Sequence, residues 1–335
     1  MGTVRIVVLP PRGVNFGRES NWNSLLEGLR QSGAEVPEFG VWTQEPEALV
    51  TLNDQPKAGL LQSKFQIAAA RSALVALEPR VTSPGMYTSR SLRNYQHRYA
   101  ASPLWAKDMG GQAFLWPQNL HSRPAMHTET AYAATMINAE KRSAIKGSLY
   151  GLRRSAILAL DAEEVSLAVI GAGWTDTRVR RADSAARAIA KATLTQQRPY
   201  GKEAFSQLDI RPKTALGSIQ NKSEAFALAP ISIVIENSAD YMSEKLIDAI
   251  CSGVAPVYVG PPLDLLGLPD EIAIGSDPTV ESVVAAVQRA INNPELRTDT
   301  IAAGYIWLNS GDSIEHSLPQ VLTDLGRKIG LNLLK

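Results

Sequence analysis

The sequence predicts an α/β protein built as two successive Rossmann-like domains facing across a cleft. Three observations lead there. Short β-branched runs alternate with stretches of helical apolar spacing along most of the 335 residues, as expected of parallel strands covered by helices. The run Ile231–Pro262, ISIVIENSADYMSEKLIDAICSGVAPVYVGPP, reads as one complete strand–loop–helix–strand unit. A polar, proline-containing stretch, His121–Thr130, separates an earlier series of such elements from a later one.

Composition sets limits on function. With 44% hydrophobic and 20% charged residues the chain matches ordinary globular proteins, and its length suffices for two cores. A net charge of +1 gives no general attraction to nucleic acid or to an anionic membrane. Any phosphate must therefore be held by local groups. The single cysteine, Cys251, excludes an intrachain disulfide and a multi-thiolate metal site, and its place on an apolar helix face predicts a buried structural thiol. The apolar run in MGTVRIVVLPP is too short for a signal peptide, and no stretch reaches the roughly eighteen apolar residues of a membrane span. Cytoplasm is the expected location.

Taken in order, Val4–Leu9 is expected to be the first strand and Pro10–Ser20 a loop. Helix one follows, with Trp22, Leu25, Leu26 and Leu29 on one face and its end before Gly33. Ala34–Val41 reads as a strand, and a helix is expected near Ser63–Ala70 within an otherwise unpatterned Glu45–Ala69. Ala73–Leu77 is a clear strand that delivers Glu78-Pro79 to its carboxyl end; an extended polar loop runs on through Tyr95. Gln112–Trp116 closes a first domain, residues 1–125. The second domain, 131–310, opens with Ala131–Ile137, helix Leu149–Leu160 and strand Val165–Ile170. Gly171-Ala-Gly173-Trp174 lacks the third glycine of a dinucleotide fingerprint, since Asp176 stands there, and reads as a tight strand exit. An Arg- and Ala-rich helix spans Thr177–Thr193. After the unit at 231–262 come strand Glu271–Ile274 and helices Val280–Ile291 and Thr300–Leu308. Residues 311–335 form a C-terminal helical tail over Leu318–Ile329.

Within Ile231–Pro262, strand Ile231–Ile235 leads to a polar turn, and helix Asp240–Ser252 carries Met242, Leu246, Ile247, Ala249 and Ile250 at helical spacing. Gly253 stands where a left-handed helix stop is expected, before strand Ala255–Val259. Packing accounts for the strands and the apolar helix face. It does not account for Glu236, Asn237, Ser238, Asp240, Tyr241, Ser243, Glu244 and Lys245, which lie past a strand's carboxyl end and at a helix N-terminus, where open α/β sheets bind ligands.

ENS, a short gap, YMSEKL-DA and APVYVGPP together resemble the signature of family-ten glycosyltransferases, the α-1,3/α-1,4-fucosyltransferases. The family pattern runs Phe-Glu-Asn, then Tyr-x-Thr-Glu-Lys, then Pro-Val and Gly. Here Ile235 replaces the phenylalanine, keeping bulk without a ring, and Ser243 replaces the threonine, keeping the hydroxyl. The likeness extends from about Ala131 to Trp307 and is thin before that. It implies the GT-B architecture, a GDP-sugar donor, most simply GDP-fucose, a carbohydrate acceptor, and inverting transfer without an obligatory metal.

Such a transfer builds positive charge on the sugar and negative charge on the departing diphosphate, so it needs cations or N–H donors there and a base for the acceptor hydroxyl. Lys245, in the first helical turn, suits a phosphate, because a lysine is otherwise unfavourable beside a positive helix end. Glu244 is either a routine first-turn acid or a reader of ribose hydroxyls, and the resemblance implies ribose. Asn237 and Tyr241 are candidates for phosphate and sugar contacts, with Glu236 and Ser243 completing the donor set; each alone also fits a turn. The resemblance places a diphosphate arginine at Arg153, with Arg154 close behind, so that either could hold the role. It also places the base at Glu78; among the few titratable alternatives nearby, His97 in NYQHRY is the runner-up, and it also fits a core or surface histidine. No cluster of His, Cys, Asp and Glu has metal-ligand spacing. Two other readings stay open: a transferase using another GDP-sugar, and a non-catalytic nucleotide- or carbohydrate-binding protein.

Overall fold

The computed structural model describes residues 3–11, 26–42, 44–53, 56–114, 130–143, 145–174, 212–219, 222–310 and 318–332. Trp22 and Leu25, most of Pro10–Ser20, the His121–Thr130 linker apart from its last residue, Trp116 and the Thr177–Thr193 helix lie outside these residues. The chain divides into two compact units: Met1–Asn119 with Gly311–Lys335, and Leu120–Ser310. Each is an α/β domain on a wholly parallel sheet.

In the first unit the strands β1 (Ile6–Leu9), β2 (Ala48–Leu52), β3 (Ser72–Ala76), β4 (His97–Ala100) and β5 (Gln112–Ala113) lie side by side in that order. Every residue of β1, β2 and β3 is buried, as parallel strands covered on both faces require. The strand expected at Ala34–Val41 reduces to one parallel bridge, Glu35 to Arg5. Pro37 has no N–H to extend it, and Gly40 turns the chain with φ of 72°. The expected helix near Ser63–Ala70 lies earlier, as α1 (Pro56–Lys64), because Gln66 takes a left-handed φ of 52°. The polar loop before Tyr95 contains a short helix, α2 (Ser89–Leu92), whose start Thr88 caps by accepting from the Ser91 amide. Helix α3 (Pro103–Asp108) is likewise capped by Ser102. Helix one is present over residues 26–30, with Leu26 and Leu29 buried.

The second unit has β6 (Ala134–Ile137), α4 (Tyr150–Ala162), β7 (Leu167–Ile170), β8 (Ala215–Gly217), α5 (Lys222–Phe226), β9 (Ile231–Ile235), α6 (Glu244–Cys251), β10 (Ala255–Val259), β11 (Ile274–Gly275), α7 (Val280–Asn292) and α8 (Pro294–Leu308). The sheet order is β11-β10-β9-β6-β7-β8. Counted within the unit this is the doubly wound order, reversing between β6 and β9. Ile231, Ile233 and Ile235 of β9, Val257 and Val259 of β10, and Val283 and Val287 of α7 share one apolar core. The expected strand at Glu271–Ile274 is mostly a 3-10 turn, Asp270–Ile272, before β11. Helix α8 starts at Pro294 rather than Thr300, where Asn293 Oδ1 accepts from the Leu296 amide at 3.0 Å. Gly253 does take the left-handed stop, with φ of 68°. Gly171 is required by close approach: a Cβ there would lie 2.2 Å from the Asn138 carbonyl oxygen.

Helix α9 (Leu318–Asn332) returns to the first unit. Its Thr323 hydroxyl donates to the Gly28 carbonyl at 2.7 Å, and Leu322 and Leu325 are buried.

Candidate functional site

The reversal of strand order puts the loops leaving β6 and β9 side by side at the carboxyl edge of the sheet. Pairing of Thr135 with Ser232 sets their register. The two loops are also joined directly: the Leu149 amide donates to the Asn237 carbonyl at 3.0 Å, and Ser148 forms an antiparallel bridge with Ser238. Loop 236–243 therefore rests on the entry to α4.

The first part of that loop is turned inward. Glu236 is fully buried, and both its oxygens are occupied by Ser243, whose amide donates to Oε1 at 2.9 Å and whose hydroxyl donates to Oε2 at 2.7 Å. Burial raises the Glu236 pKa, and Lys245 and Ser243 only partly offset it. Asn237 Oδ1 accepts from Arg153 Nη2 at 2.9 Å. The same guanidinium donates Nε and Nη2 to the Ile235 carbonyl at 2.9 and 2.5 Å. Arg153 is 3% exposed, stacks its cation 4.9 Å from the Tyr150 ring centroid, and has its pKa lowered by burial to about 10. It grips the end of β9 through Nε and Nη2. Tyr241 is buried, its amide donating to the Ser238 carbonyl.

The second part opens outward. Helix α6 begins at Glu244 rather than Asp240, because Ser243 is extended and its hydroxyl caps the Lys245 amide. Lys245 Nζ folds back onto the Ser243 hydroxyl at 2.7 Å and lies 4.0 Å from Glu236 Oε2, with 19% of its side chain exposed. Glu244 keeps 26% exposed and pairs through Oε1 with Lys222 Nζ at 3.3 Å. Lys222 also meets Asp248 Oδ2 at 2.8 Å. Burial pushes the Glu244 pKa up, but Lys245 and then Lys222 outweigh it and hold it down at about 2.

Arg154, the alternative to Arg153, is 2% exposed; it donates to the Lys141 carbonyl and sits 3.7 Å from Glu140. Its Nε, both side-chain amide atoms of Asn138, the Ser238 hydroxyl and the Tyr258 hydroxyl are buried without a hydrogen-bond partner among the described residues. Native interiors leave few such atoms, so their concentration around the ends of β6, β9 and β10 marks a place built for more than packing.

In the first unit Glu78 follows β3 at the carboxyl edge. Asn53, left-handed with φ of 61°, accepts from the Leu77 and Glu78 amides at 2.8 and 3.1 Å, while Tyr87 donates to the Glu78 carbonyl at 2.7 Å. The backbone is pinned, and the residue is half-buried. His97 opens β4 opposite Ala73, so it lies five residues down the sheet from Glu78, about 16 Å at the usual strand rise. It contacts the Ala70 carbonyl at 3.2 Å, and burial lowers its pKa. The pair cannot share one reacting atom.

Lys222, Asp248 and Lys146 also stand at this edge of the second unit, and none is among the site residues expected from the sequence. Asp248 had a signal, since two acids one helical turn apart call for a facing cation. Lys222 had none. Lys146 is exposed on the β6–α4 loop, two residues from the bridge at Ser148, and Lys141 on the same loop is exposed as well. Among the described residues no group of three His, Cys, Asp or Glu could hold a metal, and no helix is long and apolar enough to cross a membrane.

No family model matches the chain, and no curated protein is similar to it in sequence. Solved structures are similar to it in fold. The Anabaena protein Alr3699/HepE in complex with UDP and glucose aligns over 99% of both chains with a TM-score of 0.62 at 10% identity. A glycosyltransferase from Rickettsia africae aligns over 99% of this chain and 98% of its own, with a TM-score of 0.54 at 11% identity. An α1,3-fucosyltransferase aligns over 98% and 90%, with a TM-score of 0.51 at 10% identity. The fold is thus that of the GT-B glycosyltransferases: two α/β domains, each on a parallel sheet.

Proposed function

We propose that this chain is an inverting glycosyltransferase that moves fucose from GDP-fucose to a carbohydrate hydroxyl. The observation that carries the reading is the start of α6. There a capped helix N-terminus, Lys245 and an ionised Glu244 stand together past β9, beside the strand-order reversal of a Rossmann-type sheet. In this reading Lys245 and the first amides of α6 meet the diphosphate, and Glu244 Oε2 accepts ribose hydroxyls. Arg153 acts chiefly by holding Ile235 and Asn237, with Nη1 as its contact to phosphate, while Glu236, Ser243 and Tyr241 shape the loop. Glu78 takes the acceptor proton as the acceptor oxygen attacks the anomeric carbon. The sugar–diphosphate bond breaks on the opposite face, and the diphosphate leaves with the electron pair. These cationic groups do the work of a metal, so the reaction needs none.

A second reading is favoured by one finding: Alr3699/HepE was also solved with UDP-glucose, at a TM-score of 0.60. Together with Ile235 in place of an aromatic ring, it makes a UDP-sugar the rival donor.

The test is nucleotide release from a panel of GDP- and UDP-sugars with saccharide acceptors. GDP-fucose should be consumed fastest; turnover of UDP-glucose alone would replace the donor, and release from none would favour a binding protein. Glu78→Gln should cut transfer by roughly a hundred- to ten-thousand-fold while GDP affinity stays near wild type. Unchanged transfer would remove Glu78 as the base.

A further inference from the structure

We infer that Lys222 is a positioning residue for the donor: by bridging Glu244 and Asp248 it fixes the Glu244 carboxylate and leaves Oε2 to accept ligand hydroxyls. This rests on the reading of Glu244 as a donor contact.

Lys222 opens α5 and reaches α6 from outside, its Nζ 3.3 Å from Glu244 Oε1 and 2.8 Å from Asp248 Oδ2. Glu244 and Asp248 are one turn apart on α6, an arrangement of like charges that disfavours a helix unless a cation faces it. All three line one recess of about 40 Å³, closed on its apolar side by Ile137, Phe226 and Val234. Lys222 keeps 54% of its side chain exposed, whereas Asp248 keeps 14%. An ion pair with one partner this exposed adds little to folding. Its consequence should fall on Glu244.

The groups facing Glu244 are Lys245 and Asp248 on its own helix, Lys222 from α5, Arg153 from α4 and Glu236 at the end of β9. Burial pushes Asp248 up, Lys222 opposes it and Glu244 adds to it, leaving Asp248 at about 6. Without Lys222 the two carboxylates would share one recess, with Lys245 and, further off on α4, Arg153 as the remaining cations that face Glu244. They would then take up a proton together at a higher pH than Glu244 does now. A protonated Glu244 presents an O–H donor on one oxygen and accepts less from hydroxyls than the carboxylate does.

The experiment is calorimetric titration of GDP into the full chain at pH about 5.5 and about 8, for wild type, Lys222→Met, Lys222→Arg and Glu244→Gln. Each variant is compared with wild type at the same pH, which cancels the titration of the GDP phosphate itself. Lys222→Met should weaken GDP about tenfold at the acid pH and about threefold or less at the alkaline one, in the range of a charge-assisted contact. Lys222→Arg should restore binding, and adding Asp248→Asn to Lys222→Met should recover most of the acid loss. Melting temperatures within a few degrees of wild type check folding. A Lys222→Met variant that binds as wild type, or whose loss is the same at both pH values, overturns the inference. If Glu244→Gln binds GDP as wild type, the donor role of Glu244 has failed instead. If Glu244→Gln is weak and Lys222→Met is not, Lys222 alone is wrong.

Discussion

Glu236 and Glu244 stand at opposite ends of one loop and are equally acidic on paper, but the fold treats them differently. Glu236 is sealed, with both oxygens taken by Ser243. Glu244 sits one residue beyond the same serine, partly exposed and between two lysines. The same contrast separates the two cations, Arg153 locked on Ile235 and Asn237 and Lys245 resting lightly on a hydroxyl. A single motif thus contains a half that builds the loop and a half available to a ligand, with Ser243 as the hinge between them: it closes Glu236 and caps α6 at once.

The largest expected effect lies in the building half. Arg153→Met leaves the Ile235 carbonyl and the Asn237 oxygen without donors in a buried place and should lower unfolding free energy by about 2–5 kcal/mol in denaturant titration. Were the loss below about 0.5 kcal/mol, Arg153 would have to be moved to the ligand half. Glu236→Ala should behave similarly, while Glu236→Gln, which still offers an acceptor to the Ser243 amide, should stay closer to wild type.

Ser243→Ala comes next, removing a helix cap and the donor to Glu236 Oε2, for about 2 kcal/mol together. Ser243→Thr should be nearly neutral; a large loss there would mean that the loop is packed too tightly for the extra methyl.

A smaller effect concerns pH. Asp248 is raised in the folded state from 3.8 to about 6, so its contribution to stability is present at low pH and lost as pH rises through about 6. Glu244, lowered from 4.5 to about 2, runs the other way: its contribution is present above 4.5 and lost as pH falls through about 2. Asp248→Asn should therefore gain on wild type as pH rises from about 4 to about 7, read from melting temperatures. A constant difference across that range would show that Lys222 already keeps Asp248 ionised.

The sequence showed the second unit's central strands to the residue, because ISIVI and APVYV are β-branched and buried on both faces. It misplaced the start of α6 because Tyr241 and Met242 point into the core from the loop and imitate helical spacing. It passed over β2, although ALVTL is fully buried, because polar residues crowd in after it, and over β4, which opens with His97 and Arg98 half-exposed. Arg153 was legible as a cation near the loop, but its grip on the Ile235 carbonyl and Asn237 was not, because residue type and position are visible in a sequence and burial is not. Lys222 could not be found at all: its partners lie on another helix, and only the fold brings them together.

The central claim is that the outward half of the loop holds a nucleoside diphosphate. Titration of GDP and UDP into wild type and Lys245→Ala, each with and without a chelator, tests it most directly. GDP should bind wild type whether or not chelator is present, and Lys245→Ala should weaken it by about tenfold or more at an unchanged melting temperature. Equal GDP affinity for wild type and Lys245→Ala, or binding that vanishes with chelator, would contradict it.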